Sequence, residues 1–357
     1  RPLYPRALAR LYHSRFHSLV ERIAPRAQWT DRAFRRLVDA PCDLLHLHNF
    51  HGRYATMESL AYVAQLKPLV WTFHALWGVT GGCDHPRECH RYLDACGECP
   101  QLGRWPLGSH DDTAAQLDLK LDHLAPLPLH VIAPSRWLAE FVRSSRVGRN
   151  WQVHHIPNAV DAAFVARLEY TAPADRKGIT ILIVNRNFRD EQKGFPIVQS
   201  ALAEWAGQRP HLLLAGENSD WAQERLSGWS CESFGYVSNA GPLAKLHRAA
   251  DIFLFASPAE NFPCVVLEAM AAGNCVVATP TGGVNEQLED GVTGLLASEI
   301  SGPALAEALH RALADESLRK RVGEAARLRA AREFGETVFF ERHRQLYSRV
   351  LEAWHAR

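Results

Sequence analysis

Apolar residues follow two alternating patterns along most of this chain. Short apolar runs predict buried strands, and segments with apolar residues three or four positions apart predict amphipathic helices. In the first half, strands are predicted near 44–48, 69–73 and 129–133, and helices near 56–66, 117–124 and 136–144. Ser135 is a suitable N-cap for the last of these helices. Such alternation predicts an α/β fold with a mostly parallel sheet.

The second half repeats the alternation. Strands are predicted at 179–185, 212–215, 252–255, 275–279 and 293–297, with helices at 196–205, 243–250, 265–272 and from 303 to nearly the end. This pattern predicts a nearly complete doubly wound domain. The first half shows fewer predicted strands than the six or so that a doubly wound domain uses. We therefore expect a first domain that is incomplete at its N-terminus.

Breaker residues mark the domain boundary. The stretch 171–175 is rich in Thr, Ala and Pro and predicts a linker near 160–177. We expect an N-terminal acceptor-side domain over 1–160 with a Cys-rich loop at 78–110, and a C-terminal donor-binding domain over 161–335. A final helix over 336–357 is expected to pack back toward the first domain.

Composition and charge narrow the class of protein. The chain has 357 residues, 47% hydrophobic and 22% charged, as in ordinary globular enzymes. Its 40 Lys plus Arg against 39 Asp plus Glu give a net charge of +1, which disfavours a nucleic-acid partner. Residues 1–36, however, carry nine Arg and only Glu21 and Asp31, a balance of +7.

This basic segment has apolar residues at helical spacing. We expect residues 1–26 to contact an anionic membrane surface, or alternatively to pack on the first domain. Neither a membrane span of about 18 apolar residues nor a readable secretion signal is present in the sequence. The sequence therefore predicts a cytoplasmic protein, and the first of these two alternatives would make it peripheral on the inner face of the cell membrane.

Two carboxylates bracket a predicted helix start. Glu260 follows the predicted strand 252–255, and Glu268 lies about one turn inside the next helix. Ligands bind at the carboxyl ends of strands in open α/β sheets, and a helix N-terminus offers N–H groups to a phosphate. Carboxylates accept hydrogen bonds from vicinal hydroxyls. An isolated pair at this spacing is more typical of a solvated helix residue and of a carboxylate that interacts with the helix dipole.

The surrounding motifs resemble a known family. Residues 257–294 resemble the donor-binding signature of the retaining family 4 glycosyltransferases, residues 185–194 their Arg…Lys-Gly motif, and residues 156–161 their interdomain I-P-N-G-V-D. The resemblance implies the GT-B fold, an α/β architecture of two doubly wound Rossmann-like domains facing a cleft. Fingerprints of dehydrogenases, P-loop NTPases and zincins are absent from the sequence.

The first half resembles one branch of that family. Residues 71–83 and 96–103, with Cys89 between them, are similar to exopolysaccharide enzymes such as colanic acid transferases, and residues 112–120 and 133–138 fit as well. One position departs from the branch: Ala75 stands where an Asp usually follows the catalytic-loop His. The polar contact of that Asp is therefore missing here.

The resemblance implies a hexosyl-type transferase that moves a sugar from a UDP- or GDP-linked donor to a glycan or lipid-linked acceptor with retention. Arg186 and Lys193 would hold the donor diphosphate, Glu260 the sugar hydroxyls and Glu268 the ribose, while His74 would act from the first domain. No catalytic metal is expected. The other expected donor-binding residues are Asn261, Phe262, Pro263, Cys264, Val265, Gly282 and Gly283.

Four cysteines form the remaining cluster. Cys83, Cys89, Cys96 and Cys99 fall within 17 residues, and the last two have the spacing of structural zinc knuckles. Because the loop is poor in apolar residues, a structural zinc ion would supply its folding energy. The alternatives are free thiols or a redox pair at Cys96 and Cys99.

Two other functions remain compatible with these motifs. A sugar-nucleotide isomerase or hydrolase of the same fold would share the diphosphate site without using an acceptor. A catalytically impaired nucleotide-sugar-binding protein would account for Ala75 and the light first domain.

Overall fold

The computed structural model describes residues 26–48, 50, 55–169, 178–203, 205, 207 and 209–357. It divides into two compact units. The first comprises the described residues up to Ile156 together with His343–Arg357, and the second comprises the described part of Pro157–Arg342. Residues 1–25 and residues 170–177 of the predicted linker lie outside the described residues, so the membrane contact stays a prediction.

The first unit contains a parallel sheet with the order β1-β2-β3-β4 in its described part. The strands are β1 (Leu45–His48), β2 (Leu69–Thr72), β3 (His130–Ala133) and β4 (Gln152–His155). The helices are α1 (Arg26–Arg35), α2 (Met57–Leu66), α3 (Thr113–His123) and α4 (Arg136–Ser144), with short 3-10 turns at Arg36–Asp39, Trp77–Val79 and Arg91–Leu93. The predicted strand-helix alternation is confirmed.

Local chemistry sets the helix starts in this unit. The Ser135 hydroxyl accepts a hydrogen bond from Leu138 N at 3.0 Å, which confirms the predicted cap of α4.

Aromatic side chains fill the core beside β2: the ring centroids of Trp71 and Phe73 lie 4.4 Å apart, and Phe73 also meets Trp151 edge-on. The sheet is therefore buried against its own aromatic residues.

The second unit has a six-stranded parallel sheet of order β10-β9-β8-β5-β6-β7. The strands are β5 (Thr180–Asn187), β6 (His211–Glu217), β7 (Cys231–Ser233), β8 (Ile252–Phe255), β9 (Cys275–Ala278) and β10 (Leu295–Leu296). Chain order reverses between β5 and β8, which lie side by side. This is the doubly wound topology, and its switch point lies between those two strands.

Helices connect these strands, and those at Ala162–Glu169, Ser219–Arg225 and Val284–Gln287 were not predicted. They are α5 (Ala162–Glu169), α6 (Phe195–Ala203), α7 (Ser219–Arg225), α8 (Ala240–Ala249), α9 (Cys264–Ala272), α10 (Val284–Gln287), α11 (Gly302–Ala314), α12 (Glu316–Glu333) and α13 (Glu336–His355), with a 3-10 turn at Glu191–Lys193. The helical region predicted from 303 onward consists of three helices, and the last of them begins at Glu336, where the final helix was predicted. The Asp315 carboxylate accepts a hydrogen bond from Leu318 N and starts a separate helix, and α12 ends before Gly335.

The last helix belongs to both units. Its residues from His343 onward group with the first unit, where Tyr347 Oη lies 2.6 Å from His46 Nδ1. Further along, Val350 and Trp354 line a small cavity together with Leu69. No helix in the described part of the chain is both long and apolar enough to cross a membrane.

Candidate functional site

Two of the predicted donor-site residues meet at the switch point. Lys193 lies in the turn that follows β5, and Glu260 lies in the loop that follows β8. Lys193 Nζ is 2.7 Å from Glu260 Oε1, and the two side chains are 32% and 19% exposed. Because β5 and β8 are neighbours, their carboxyl ends bring together residues that are distant in sequence.

A glycine makes this approach possible. Gly194 has φ +78°, and a Cβ at this position would overlap the carbonyl oxygen of Ala256 at the end of β8. The turn is also held by Asn185 Nδ2, which donates to the carbonyl of Lys193 at 3.0 Å. The Lys-Gly motif therefore serves to lay the lysine turn directly against β8.

Ser257 lies between the same two loops. Its Oγ is 3.0 Å from the carbonyl oxygen of Gln192 and 3.2 Å from Glu260 Oε1. Glu260 Oε1 is thus approached by both a lysine ammonium and a serine hydroxyl. These polar contacts fix the carboxylate at the sheet edge.

Gly282 and Gly283 support the loop that carries Glu260. Gly283 N donates to the carbonyl of Asn261 at 2.7 Å. Gly282 has φ +48°, and a Cβ there would overlap the carbonyl oxygen of Glu260. The structure therefore places both glycines behind the loop, whereas their contact with a donor stays a prediction.

The loop leads directly into helix α9. Pro263 precedes the helix, and no side chain caps its N-terminus. Asn158 Nδ2 donates to the carbonyl of Phe262 at 2.9 Å, and Gln287 Nε2 donates to that of Pro263 at 3.0 Å. The Phe262 ring is buried against Phe334 and so acts in the core of this unit. An uncapped helix N-terminus is favourable for an anion.

Two other predicted residues flank this start. Cys264 is exposed and Val265 is half-buried. Arg186 is exposed near the end of β5. The roles of Cys264, Val265 and Arg186 in donor binding stay predictions.

Glu268 lies one turn into α9, and its carboxyl group has a raised pKa and, among the described residues, an unpartnered oxygen. Burial, and to a smaller extent the charge of Asp161, raises the pKa of Glu268 to about 7. Its Oε2 atom is buried and has no hydrogen-bond partner in the described structure. Buried polar atoms are rarely left unpaired, so an unpartnered carboxylate oxygen beside a helix N-terminus indicates a place for a ligand hydroxyl.

His74 follows β2 at the carboxyl edge of the first sheet. Its Nε2 lies 3.0 Å from Nδ1 of His48, the last residue of β1. Burial lowers the pKa of His74, and neighbouring His48 lowers it further. Sequence reasoning missed His48. The signal was present, because His46 and His48 alternate with leucines at a strand end, but single histidines are common in structural positions.

The four predicted zinc ligands converge. Cys83, Cys89, Cys96 and Cys99 all line one cavity of about 10 Å³, close to the smallest volume that holds one water molecule. Burial raises the pKa of the Cys83 thiol to about 12. Across the described residues, no group of three or more His, Cys, Asp or Glu side chains has the arrangement of a metal site. The structure thus gathers the thiols but does not show a metal site.

Polar contacts from α3 hold this loop. The buried Lys120 Nζ donates to the carbonyls of Trp77 and Thr80 at 2.7 and 2.8 Å. Asp111, just before the helix, accepts from Cys99 N at 2.8 Å. The motif at 112–120 therefore contains Lys120, whose hydrogen bonds help to hold the Cys-rich loop in place.

Comparison with known proteins agrees with this architecture. The family model described as Glycosyltransferase Family 4 matches residues 2–164, and that described as Glycosyl transferases group 1 matches residues 171–329. Together the two matches leave out only a short junction and the chain ends. The protein is a glycosyltransferase of the GT-B fold, and it belongs to glycosyltransferase family 4.

Individual relatives are more distant. WcaC of Escherichia coli K12, named as a colanic acid biosynthesis glycosyl transferase, is 26% identical over 300 residues, which cover 78% of this chain and 72% of that protein. A phosphatidyl-myo-inositol mannosyltransferase of Mycobacterium leprae is 27% identical over 332 residues, covering 89% and 76%. Both names describe sugar transfer.

Solved structures confirm the fold. Sucrose-phosphate synthase from Thermosynechococcus elongatus aligns with a TM-score of 0.65 and 23% identity, covering 90% of this chain and 79% of that one. Anabaena HepE in complex with UDP aligns with a TM-score of 0.64 and 19% identity, covering 90% and 82%.

Proposed function

We propose that this protein transfers a sugar from a nucleotide-sugar donor to a glycan or lipid-linked acceptor, with retention of anomeric configuration, in polysaccharide biosynthesis. The observation that carries the proposal is the pairing of Lys193 with Glu260 at the switch point of the second sheet. Support also comes from the colanic acid relative and from the branch-specific motifs of the first half.

The second unit offers complementary groups for each part of such a donor. Lys193 and Arg186 would neutralise the negative charge that grows on the diphosphate as the glycosidic bond breaks, and the N-terminus of α9 would add N–H groups and a positive dipole end. Glu260 would orient hydroxyls of the sugar. The unpartnered Oε2 of Glu268 would accept a ribose hydroxyl.

Retention places the acceptor on the same face of the sugar as the departing phosphate. In this proposal the leaving phosphate accepts the proton of the acceptor hydroxyl, and the chain supplies charge stabilisation rather than a general base. His74 would contact the reacting sugar. No catalytic metal takes part in the proposed reaction.

The donor is tested first by ligand binding. HepE was solved with UDP and with UDP-glucose, so UDP-linked sugars head the screen, followed by GDP-linked sugars. A matching ligand at 100 times its Kd adds about 2.7 kcal/mol to the free energy of unfolding, which a thermal shift detects.

The reaction itself is tested by NMR of the anomeric proton in the product formed with the selected donor. We expect the donor's anomeric configuration to be preserved. An inverted product would contradict the retaining mechanism. Donor consumption at the same rate without any acceptor would favour a hydrolase or isomerase, and binding without turnover would favour an impaired binding protein.

We further propose that the four cysteines hold a structural zinc ion. Two observations support this proposal. All four cysteines line one cavity, and hydrogen bonds of Lys120 and Asp111 hold the loop in place. Thiolates from all four would complete a tetrahedral site, and the ion would stabilise a loop that carries few apolar side chains.

A further inference from the structure

A row of histidines lies at the carboxyl edge of the first sheet. His46 and His48 are two residues apart on β1 and therefore share one face of the strand. In the parallel register His48 lies opposite Thr72, and His74 follows two residues later. The sheet thus brings two histidines of β1 close to a third that follows the neighbouring strand β2.

His46 is fixed at both ring nitrogens. Its Nδ1 lies 2.6 Å from Tyr347 Oη on α13, and its Nε2 lies 2.7 Å from Thr72 Oγ1. The ring of His46 packs against that of His48 with centroids 4.2 Å apart. An anchored ring therefore supports one side of His48, and His343 approaches the same group at 5.8 Å from His46.

His48 in turn holds His74. The Nδ1 of His48 is 3.0 Å from Nε2 of His74, and the two rings stack with centroids 5.4 Å apart. Burial lowers the pKa of both histidines, which favours the neutral form of both rings. A hydrogen bond between two neutral imidazoles requires one nitrogen to carry the proton and the other to accept it.

We propose that His48 is a positioning residue, which fixes the ring orientation and the tautomer of His74 for sugar transfer. The proposal rests on the proposed function, in which His74 contacts the reacting sugar. When His48 Nδ1 donates, His74 carries its proton on Nδ1; when it accepts, His74 carries its proton on Nε2. In either arrangement, His48 determines which ring nitrogen of His74 carries the proton.

Two substitutions separate the hydrogen bond from the ring. In His48→Asn the side-chain amide can occupy the place of Nδ1, whereas His48→Phe keeps an aromatic ring without any hydrogen-bonding group. We expect His48→Phe to lower kcat on the order of 10- to 100-fold with little change in the KM for the donor, because a displaced catalytic group mainly affects the transition state. His48→Asn should recover most of the activity.

A double-mutant cycle shows whether His48 acts through His74. In a His74→Phe background, His48→Phe should cause no further loss of kcat. Losses that simply multiply would overturn the proposal, as would full activity of His48→Phe or His74→Phe.

The fold supplies a matched control pair. His130 Nδ1 lies 3.2 Å from His154 Nε2, and these rings also stack with centroids 5.4 Å apart. His130 lies at the amino end of β3, away from the edge that carries His74. His130→Phe should therefore leave kcat unchanged, and an equal loss in both variants would indicate a merely structural effect.

A readout independent of activity completes the test. In ¹⁵N NMR of histidine side chains, His48→Phe should shift the Nε2 resonance of His74, whereas His130→Phe should not. An unchanged resonance would overturn the proposal even in an active enzyme. If the wild type transfers no sugar, the proposed function fails and with it the role in transfer, while the spectrum still shows whether the two histidines are paired.

Discussion

Lys193 and Glu260 form an ion pair across 67 residues of sequence, with Nζ and Oε1 2.7 Å apart. The pair is partly exposed, so its own contribution to stability is small. Its importance is positional: a cation and an anion are held side by side at the switch point. A ligand carrying both a diphosphate and sugar hydroxyls could engage them together.

Lys193→Ala should lower turnover on the order of 10²- to 10³-fold, the usual effect of removing one group that stabilises transition-state charge. Arg186→Ala is expected to act in the same direction, and Lys193→Arg should retain part of the activity. Steady-state rates with the selected donor measure this. Lys320 provides a control, because its exposed ammonium also pairs with a glutamate, Glu316, at 2.6 Å. Equal activities of Lys193→Ala and Lys320→Ala would contradict the assignment.

Glu260→Gln should impair use of the sugar and leave affinity for the free nucleotide nearly unchanged. The reason is that Glu260 lies beside Lys193, where the proposed donor places its sugar and diphosphate rather than its ribose. Calorimetry with free nucleotide and kinetics with the intact donor measure the two effects separately. Loss of nucleotide binding without loss of turnover would reverse the assignment.

Glu268→Gln should weaken nucleotide binding, and the effect should depend on pH. The pKa of Glu268 is about 7, so its carboxylate, the better acceptor for a ribose hydroxyl, forms as the pH rises from 6 to 8. Wild-type affinity for the nucleotide should therefore increase over this range. Calorimetry on the Gln variant should show a flat profile, and an identical pH dependence in both proteins would contradict the role.

The free energy of unfolding should depend on the same carboxyl group. It should decrease as the pH rises, whereas the affinity for the nucleotide should increase. Because the folded pKa of about 7 lies above the usual glutamate value of 4.5, the folded state binds the extra proton between these values, and stability falls as the pH rises through them. At 1.36 kcal/mol per pKa unit the loss reaches about 3 kcal/mol. Without ligand, Glu268→Gln should thus gain stability over the wild type between pH 5 and 8 in thermal denaturation.

Gly194→Ala should cost more than backbone strain alone. Gly291 has nearly the same φ, +73° against +78°, but a Cβ there would meet only Arg311 at an ordinary distance. Gly291→Ala should cost about 1–2 kcal/mol for its left-handed backbone. Gly194→Ala adds the overlap with Ala256 and should also lower turnover by moving Lys193. Similar unfolding free energies and full activity would show that the turn tolerates the methyl group.

Zinc should be present at about one equivalent in protein purified without added metal, because four thiolates complete one tetrahedral site. Elemental analysis measures the content. Cys96→Ser should reduce it and lower the Tm, whereas Cys231→Ser, at a half-buried cysteine on β7, should retain the metal. Less than a tenth of an equivalent in a normally folded wild type would reject the site.

The sequence predicted the architecture where periodicity was strong. Alternating apolar strands and amphipathic helices identified the α/β fold, and Ser135 marked the start of α4 correctly. Strand β7 was not predicted, because it has only three residues and two of them, Glu232 and Ser233, are polar. The helical pattern also continues through Asp315, whose role as a cap depends on a backbone hydrogen bond that periodicity does not reveal.

Doubly wound topology predicts that the strand ends carrying the candidate site share one sheet edge, but the direct contact of Lys193 with Glu260 was not predicted. Motif resemblance identified Lys193, Glu260 and Glu268 individually. Their relationship follows from the strand order β8-β5, which pairs distant parts of the chain and which no local pattern encodes. The contact of His48 with His74 was missed for the same reason, because it depends on the register between β1 and β2.

Helix α13 also determines when the first unit can finish folding. The segment His343–Arg357 belongs to that unit, and its Tyr347 contacts His46. During synthesis the ribosome releases β1 long before this segment. The contact that anchors His46 to Tyr347 can therefore form only after the whole second unit has been translated.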